Sequence, residues 1–169
     1  RVGEPADYRR AAAMILSKNP LGGICCWVCP DTHCQRACSR RTFDRAIEIP
    51  AIQATLIDKA RTSGWVPDFC QAAPSGKRVA VVGAGPAGYG ATAVLAQHGH
   101  AVELFETADR VGGMAALIPG FRLDHEVLAA DLAFVETLGA VSVRRGERVD
   151  SPDALLRQGF DAVVVTTGL

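Results

Sequence analysis

Between Arg78 and Gly88 the chain reads R-V-A-V-V-G-A-G-P-A-G, and no other stretch restricts its fold so tightly. Val79 to Val82 is a continuous apolar run, the pattern required of a strand covered on both faces of a parallel sheet. A glycine turn follows at once. Gly83, Gly85 and Gly88 have the spacing G-x-G-x-x-G, with Ala84, Pro86 and Ala87 between them. In this spacing the first glycine permits the tight turn, the second lets the backbone approach a pyrophosphate, and the third lets the next helix sit close to the strand. Free N–H groups and the positive end of the helix dipole then face the phosphates. The glycine pattern alone is unspecific, because alanine- and glycine-rich chains produce it by chance.

Its context makes it specific. Tyr89 to His98 reads as a helix with small residues on one face, and Gly99 is placed to end it. Ala101 to Phe105 supply a second strand, closed by Glu106 eighteen residues after Gly88, where an acidic side chain can accept hydrogen bonds from a ribose. Strand, turn, helix, strand and acid come in the order of a Rossmann-like dinucleotide fold. The plain alternative is a ligand-free βαβ crossover with a surface glutamate.

A length of 169 residues allows one sizeable domain or two small ones, and 49% hydrophobic with 21% charged residues is a globular balance. Eighteen basic residues offset eighteen acidic ones, so no general attraction to nucleic acid or to an anionic membrane is expected. No apolar run approaches the about 20 residues that cross a bilayer. No signal peptide is visible, and the expected location is cytoplasmic. The chain starts on Arg1 and ends on Thr166-Thr167-Gly168-Leu169 directly after an apolar run, so it reads as a section of something longer.

In chain order, Asp7 to Lys18 has apolar residues at helical spacing, Asp7 as N-cap and Asn19-Pro20 as stop. Leu21 to Ser39 has little periodicity and reads as an irregular loop carrying Cys25, Cys26, Cys29, Cys34 and Cys38. Ile49 to Ser63 is a helix with Pro50 in its first turn and Gly64 at its end. Trp65 to Lys77 has the proline, serine and glycine content of a connection. The expected organisation is a helical cysteine-rich module over 1–66, a linker over 67–77, and a Rossmann-like half with a parallel sheet over 78–169, α/β in class. In that half Leu123 to Leu138 is an amphipathic helix stopped by Gly139, with Asp124 as a candidate cap, and Val141 to Val143 and Ala162 to Val165 are short strands. Sites in such a doubly wound sheet lie at the carboxyl ends of its strands, which puts Thr166, Thr167 and Gly168 beside the ligand.

Crowded cysteines in a chain of this type argue for metal or redox chemistry over structural disulfides. Thiolates clustered in one loop suit an iron–sulfur cluster, whose soft iron and sulfide prefer sulfur ligands. Zinc is the rival, although paired C-x-x-C knuckles are absent and His33 is badly spaced for a finger. Free or disulfide-bonded cysteines are the plain alternative, and Cys70, alone in the linker, is structural or incidental on this reading.

N-P-L-G-G-I-C-C-W-V-C-P with the later Cys34 and Cys38, E-I-P-A-I-Q, G-W-V-P-D, G-K-R-V-A-V-V-G-A-G-P-A-G, D-R-V-G-G-M, I-P-G-F-R-L and D-A-V-V-V-T-T-G together cover nearly the whole chain. They resemble the glutamate synthase small chain and its relatives, including the amino-terminal part of dihydropyrimidine dehydrogenase and flavin subunits of other multisubunit oxidoreductases. The resemblance implies an adapter that takes a hydride from NAD(P)H onto FAD and passes single electrons to four-iron four-sulfur clusters. It implies that Gly83 to Gly88 hold the FAD pyrophosphate, Glu106 the adenosine ribose, and Gly112, Gly113 and Met114 the phosphate–ribityl chain. It also places Arg122 against FAD, the Val149 backbone against adenine, and Thr167 and Gly168 beside the cofactor. Cys29, Cys34 and Cys38 match cluster ligands, Gln53 matches a glutamine ligand, and Cys25 matches a cysteine that is not a ligand. A further set of cysteines is expected ahead of Arg1.

No second glycine fingerprint occurs, so NAD(P)H is expected to bind through a domain outside this sequence. The expected partner is a larger catalytic oxidoreductase subunit or the remainder of the same polypeptide. Two classes stay open: a redox enzyme component, or a docking and electron-relay module without catalysis of its own.

Overall fold

The computed structural model describes residues 5–69 and 71–168. Cys70, on which one expectation falls, lies outside them. The amino-terminal module is helical: α1 (Pro5–Lys18), α2 (Gly22–Val28), α3 (Thr32–Ala37), a 3-10 turn (Ser39–Thr42) and α4 (Ile49–Thr62). The second half runs β1 (Arg78–Val82), α5 (Pro86–Gln97), β2 (Ala101–Glu106), a 3-10 turn (Gly113–Leu117), α6 (His125–Glu136), β3 (Val141–Arg145), α7 (Pro152–Arg157) and β4 (Ala162–Val165).

The sheet is parallel throughout, in the order β3-β2-β1-β4, with Val81 opposite Leu104 on one side and Val164 on the other. β1 is central, and this explains its unbroken apolar run. Val81 packs into the core under α5 and α6, whereas Ala80 and Val82 pack with Phe105, Leu155 and Phe160 on the other face. The chain steps from β1 to β2 to β3 in one direction and then returns to lay β4 beside β1. That reversal is the topological switch point of a doubly wound sheet, and in folds of this kind ligands bind there, outside the strands' carboxyl ends. The expected α/β class and parallel sheet are therefore as observed.

Three expectations need correction. Leu21 to Ser39 is not irregular: α2 and α3 occupy most of it. Helices of seven and six residues do not stand on propensity, so their periodicity is too short to read and packing decides them. α2 buries Gly22, Gly23 and Ile24 against its neighbours. Asp7 is not the cap of α1, because that helix begins at Pro5 and holds Asp7 in its first turn, where a carboxylate favours the positive helix end. The helix α6 is shorter than the apolar stripe suggests, since Asp124 caps it by accepting a hydrogen bond from the Glu126 amide at 2.8 Å. The short α7 has no counterpart in the sequence reading.

The segment joining the halves is not loose. The Phe69 ring meets Phe134 of α6 edge to face at 5.9 Å, and the Ala72 and Ser75 amides donate to Gln97 and Gly99 carbonyls at 3.0 and 2.9 Å. Among the described residues no single helix is long and apolar enough to cross a membrane.

On the sheet face away from α5, Glu103 accepts from Arg78 at 2.9 Å and from Arg144 at 3.3 Å, and the Arg78 hydrogen bond leads the effects holding its carboxyl below the ordinary carboxylate value. Such a group stabilises the fold above its unfolded pKa and loses that contribution as pH falls through its lowered folded value. Glu103→Gln should therefore melt at a lower temperature than the parent near neutral pH, by about 0.5–1 kcal/mol. The gap should close on acidification, as thermal melts between about pH 7 and about pH 3 will show.

Candidate functional site

At the switch point the three glycines of the turn have separate jobs. Gly83 has φ of 104°, and a Cβ there would stand 2.6 Å from the Thr166 carbonyl oxygen. Thr166 ends β4, donates its amide to Val82 at 2.8 Å and sets its hydroxyl on the Val82 and Gly83 carbonyls, both at 2.9 Å. At Gly88 a Cβ would fall 1.9 Å from the Gly83 carbonyl oxygen, so only glycine lets α5 start so close to β1. Gly85 is different. Its φ of −84° suits any residue, and a Cβ would meet only Gly113 Cα at 3.8 Å. Packing within the chain does not require a glycine at that position, whereas close approach of a ligand to the N-terminus of α5 does.

Glu106, half-buried at the end of β2, accepts from the Ala84 amide with Oε2 and from the Ala108 amide with Oε1, each at 2.9 Å. It shapes the turn while each carboxylate oxygen retains a free lone pair for another donor. Gly112 donates its amide to the Ala84 carbonyl at 2.8 Å, and Gly113, at φ of 51°, would put a Cβ 2.8 Å from Gly85 Cα. The paired glycines are therefore pressed onto the phosphate-type turn, with Ala87 and Pro86 exposed beside them. Met114 is 75% exposed next to this cradle. Thr167 and Gly168 are exposed at the end of β4, the Thr167 backbone abutting Gly83. These residues lie around the turn at the carboxyl ends of the strands, where the amides and glycines suit the close approach of a dinucleotide.

Two further residues expected at the cofactor, Val149 by its backbone and Arg122 by its side chain, make contacts within the chain. The Val149 side chain packs against the Ala80, Val82 and Phe160 cluster. Arg122 donates to the Val28 carbonyl of α2 at 3.0 Å, linking the nucleotide-type half to the cysteine module.

In that module the five described cysteines are free thiols. Cys25 and Cys26 lie half-buried on α2, Cys29 follows it exposed, Cys34 lies on α3, and Cys38 follows α3. Cys26 donates to Gln53 Oε1 at 3.6 Å, and burial, helped by Cys25, pushes its thiol up to about 12. Cys26 is therefore a protonated hydrogen-bond donor in this arrangement. Cys38 is held below the ordinary thiol value, chiefly by a backbone hydrogen bond from Ile47. Among the described residues no three His, Cys, Asp or Glu side chains gather as a metal-binding group. Cys29, Cys34, Cys38 and Gln53 have the donor chemistry of a cluster site without being preassembled into one.

Residues 3–65 match the family described as dihydropyrimidine dehydrogenase domain II, 4Fe-4S cluster, and residues 81–130 match the NAD(P)-binding Rossmann-like domain. The chain pairs that iron–sulfur domain with a Rossmann-like domain. It is 34% identical to the glutamate synthase [NADPH] small chain of Bacillus subtilis, over 95% of this chain and 33% of that protein. It is 35% identical to the NAD-dependent dihydropyrimidine dehydrogenase subunit PreT of Escherichia coli, over 96% of this chain and 40% of that one. Histamine dehydrogenase from Rhizobium sp. 4-9 shares the fold with a TM-score of 0.50 and 32% identity, over 62% of this chain and 16% of that one. The chain thus spans 33% and 40% of the length of these two curated relatives. The family resemblance read from the motifs is borne out, and the relatives are oxidoreductases.

The sequence reading missed Asp131, Arg61 and Tyr89. Asp131 of α6 is wholly buried and accepts from the Ile24 amide at 2.7 Å and from Arg61 of α4 at 2.5 Å. Burial pushes its carboxyl up against the lowering pull of those donors. Tyr89, also wholly buried, donates its hydroxyl to Glu136 at 2.7 Å and so fastens α5 to α6.

The glycine roles predict opposite outcomes for equal changes. Gly88→Ala should destabilise the chain by about 1–3 kcal/mol or more, because α5 must move off the Gly83 carbonyl. Gly85→Ala should stay within about 0.5 kcal/mol of the parent, and denaturant unfolding of both variants checks the pair.

Proposed function

We propose that this chain is the flavin- and iron–sulfur-binding part of an NAD(P)H-dependent oxidoreductase, similar to the glutamate synthase small chain. The observation that carries this reading is the unencumbered Gly85 in a turn braced by Glu106 and Gly113, behind a segment that matches an iron–sulfur domain. FAD lies with its pyrophosphate over the Gly83–Gly88 turn and its ribose at Glu106. Gly112, Gly113, Met114, Thr167 and Gly168 border it, and the Val149 backbone meets the adenine. Flavin supplies the exchange between hydride pairs and single electrons, and clusters carry one electron each.

Cys29, Cys34, Cys38 and Gln53 are the ligands of one four-iron four-sulfur cluster on this reading. Metal binding and local folding are coupled, so α3 and the Cys26–Gln53 contact rearrange as ligands close on iron. The functional units are 1–66, the linker 67–77 and 78–169. NAD(P)H binds through a domain outside this sequence. The partner is a larger catalytic subunit or a further part of the same polypeptide, in the cytoplasm. A docking and relay role is the second reading, favoured by Phe43, Ile49 and Ile52, which stand 80%, 37% and 49% exposed on the cysteine module.

Flavin, iron and zinc analysis with a visible spectrum of the purified chain tests the assignment. Gly85→Leu should fold and lose flavin, since its side chain occupies the phosphate approach; unchanged flavin content would sink the FAD assignment. Calorimetry should show no NADH binding, and clear one-to-one binding would favour a nicotinamide-binding fragment instead.

The cysteines separate just as clearly. Cys29→Ser should lose iron and the broad absorption near about 400 nm, whereas Cys25→Ser should keep both. Loss in Cys25→Ser would mean that Cys25 has been recruited as a ligand, and stoichiometric zinc without iron in the parent would end the cluster assignment.

A further inference from the structure

We propose that Asp131 and Arg122 are positioning residues that clamp the two ends of α2, and with it the cysteine segment, onto the nucleotide-binding half. The functional consequence rests on the electron-transfer reading above; the clamp itself does not.

At the amino end of α2, Asp131 Oδ2 accepts from the Ile24 amide at 2.7 Å, while Oδ1 faces Arg61 Nη2 at 2.5 Å. Gly23 makes room for this, because a Cβ there would lie 2.7 Å from Asp131 Oδ1 and 3.0 Å from Arg61 Nη1. At the carboxyl end Arg122 Nη2 donates to the Val28 carbonyl at 3.0 Å. A carboxylate therefore meets the positive helix end and a guanidinium the negative one, each sign matched to the dipole. α2 has no side-chain cap of its own, since Leu21 supplies none, and seven residues are too few to hold a helix unaided.

Both clamping residues belong to one stretch that begins at the glycine turn. Gly112 donates to Ala84 at 2.8 Å, the Gly113–Leu117 turn follows, the Arg122 amide donates to Pro119 at 2.8 Å, and Leu123 is wholly buried. α6 then carries the chain to Asp131. One continuous stretch thus joins Gly112 and Gly113 on the turn to both residues that hold α2, from whose end Cys29 leaves. A buried ion pair is a poor source of stability compared with apolar residues of like volume, so its use here is to specify where α2 sits. Between α2, α4 and α6 lies a cleft of about 800 Å³ bordered by Cys26, Cys29, Arg61 and Arg122.

Residue-resolved amide hydrogen exchange on the whole chain tests the clamp. Asp131→Asn should speed exchange at Ile24 and its α2 neighbours by about a hundredfold, because Arg61 is left without its carboxylate. Arg122→Ala, a change at an exposed side chain that leaves folding intact, should speed α2 exchange by about threefold, and Arg122→Lys should restore the parent rates. Val81 and Leu104 in the sheet should change by less than about twofold throughout. Unchanged α2 rates in both variants, or equal acceleration in the sheet, would overturn the proposal. If Asp131→Asn does not fold, the Arg122 pair decides. In iron-loaded chain the Arg122→Ala variant should keep its iron but show an altered electron paramagnetic resonance spectrum, and an unaltered one would overturn the positioning role. A parent chain that takes up no iron would instead overturn the functional reading, with the exchange rates still judging the clamp.

Discussion

Everything at the site depends on how close α5 can come to β1. The Gly88 backbone lies against the Gly83 carbonyl at a distance that no side chain would permit, and this contact aims the first amides of α5 across the ends of β1 and β4. Thr166 closes the arrangement from the neighbouring strand by bonding to Val82 and Gly83. Glu106 braces it from the other side through the Ala84 amide. The turn is thus held by three strands, and bracing of that kind lowers the ordering cost of binding any ligand there.

The cysteine module is attached by a different kind of force. Apolar packing of Leu16, Ile24 and Ile57 against Leu132 and Phe134 brings the two halves into one core. Packing of aliphatic side chains tolerates sliding, because many registers bury similar area. A buried carboxylate does not, since displacing α2 by one residue would take the Ile24 amide away from Asp131 and leave that oxygen unsatisfied in a dry interior, at a cost of about 1–3 kcal/mol. The apolar contacts supply the attraction, and the charged ones select a single arrangement.

The strands, α5 and the acid after β2 were legible in the sequence because each rests on a local pattern: an apolar run, glycines at fixed spacing, a residue at a strand end. The position of β4 beside β1 was legible only through the topology of doubly wound sheets. α2, α3 and α7 were not legible, because six or seven residues carry too little periodicity and tertiary contacts decide them. Asp131 did leave a signal. It stands among Leu128, Leu132 and Val135 on the apolar stripe of α6, and a lone acid on a buried stripe must have a partner. Nothing local reveals that the partner is an amide of α2 and an arginine of α4. Arg122 was expected against FAD, and nothing local in the sequence reveals that it holds the Val28 carbonyl.

The thiols show why a cysteine count does not amount to a preformed site. Cys26 is kept protonated by burial and donates a hydrogen bond to Gln53, while Cys38, half-buried, is eased toward the thiolate by backbone donors. Cluster assembly requires deprotonated sulfur, so acquisition of iron releases protons and is favoured first where the thiol is already acidic and accessible. On the cluster reading proposed above, the exposed Cys29 is open to iron, and Gln53 becomes available only when Cys26 gives it up. The helix α3, which separates these groups and buries none of its own residues, is the element with least to lose by moving. A rigid clamp on α2 beside a weakly held α3 gives the module one fixed wall and one that can close.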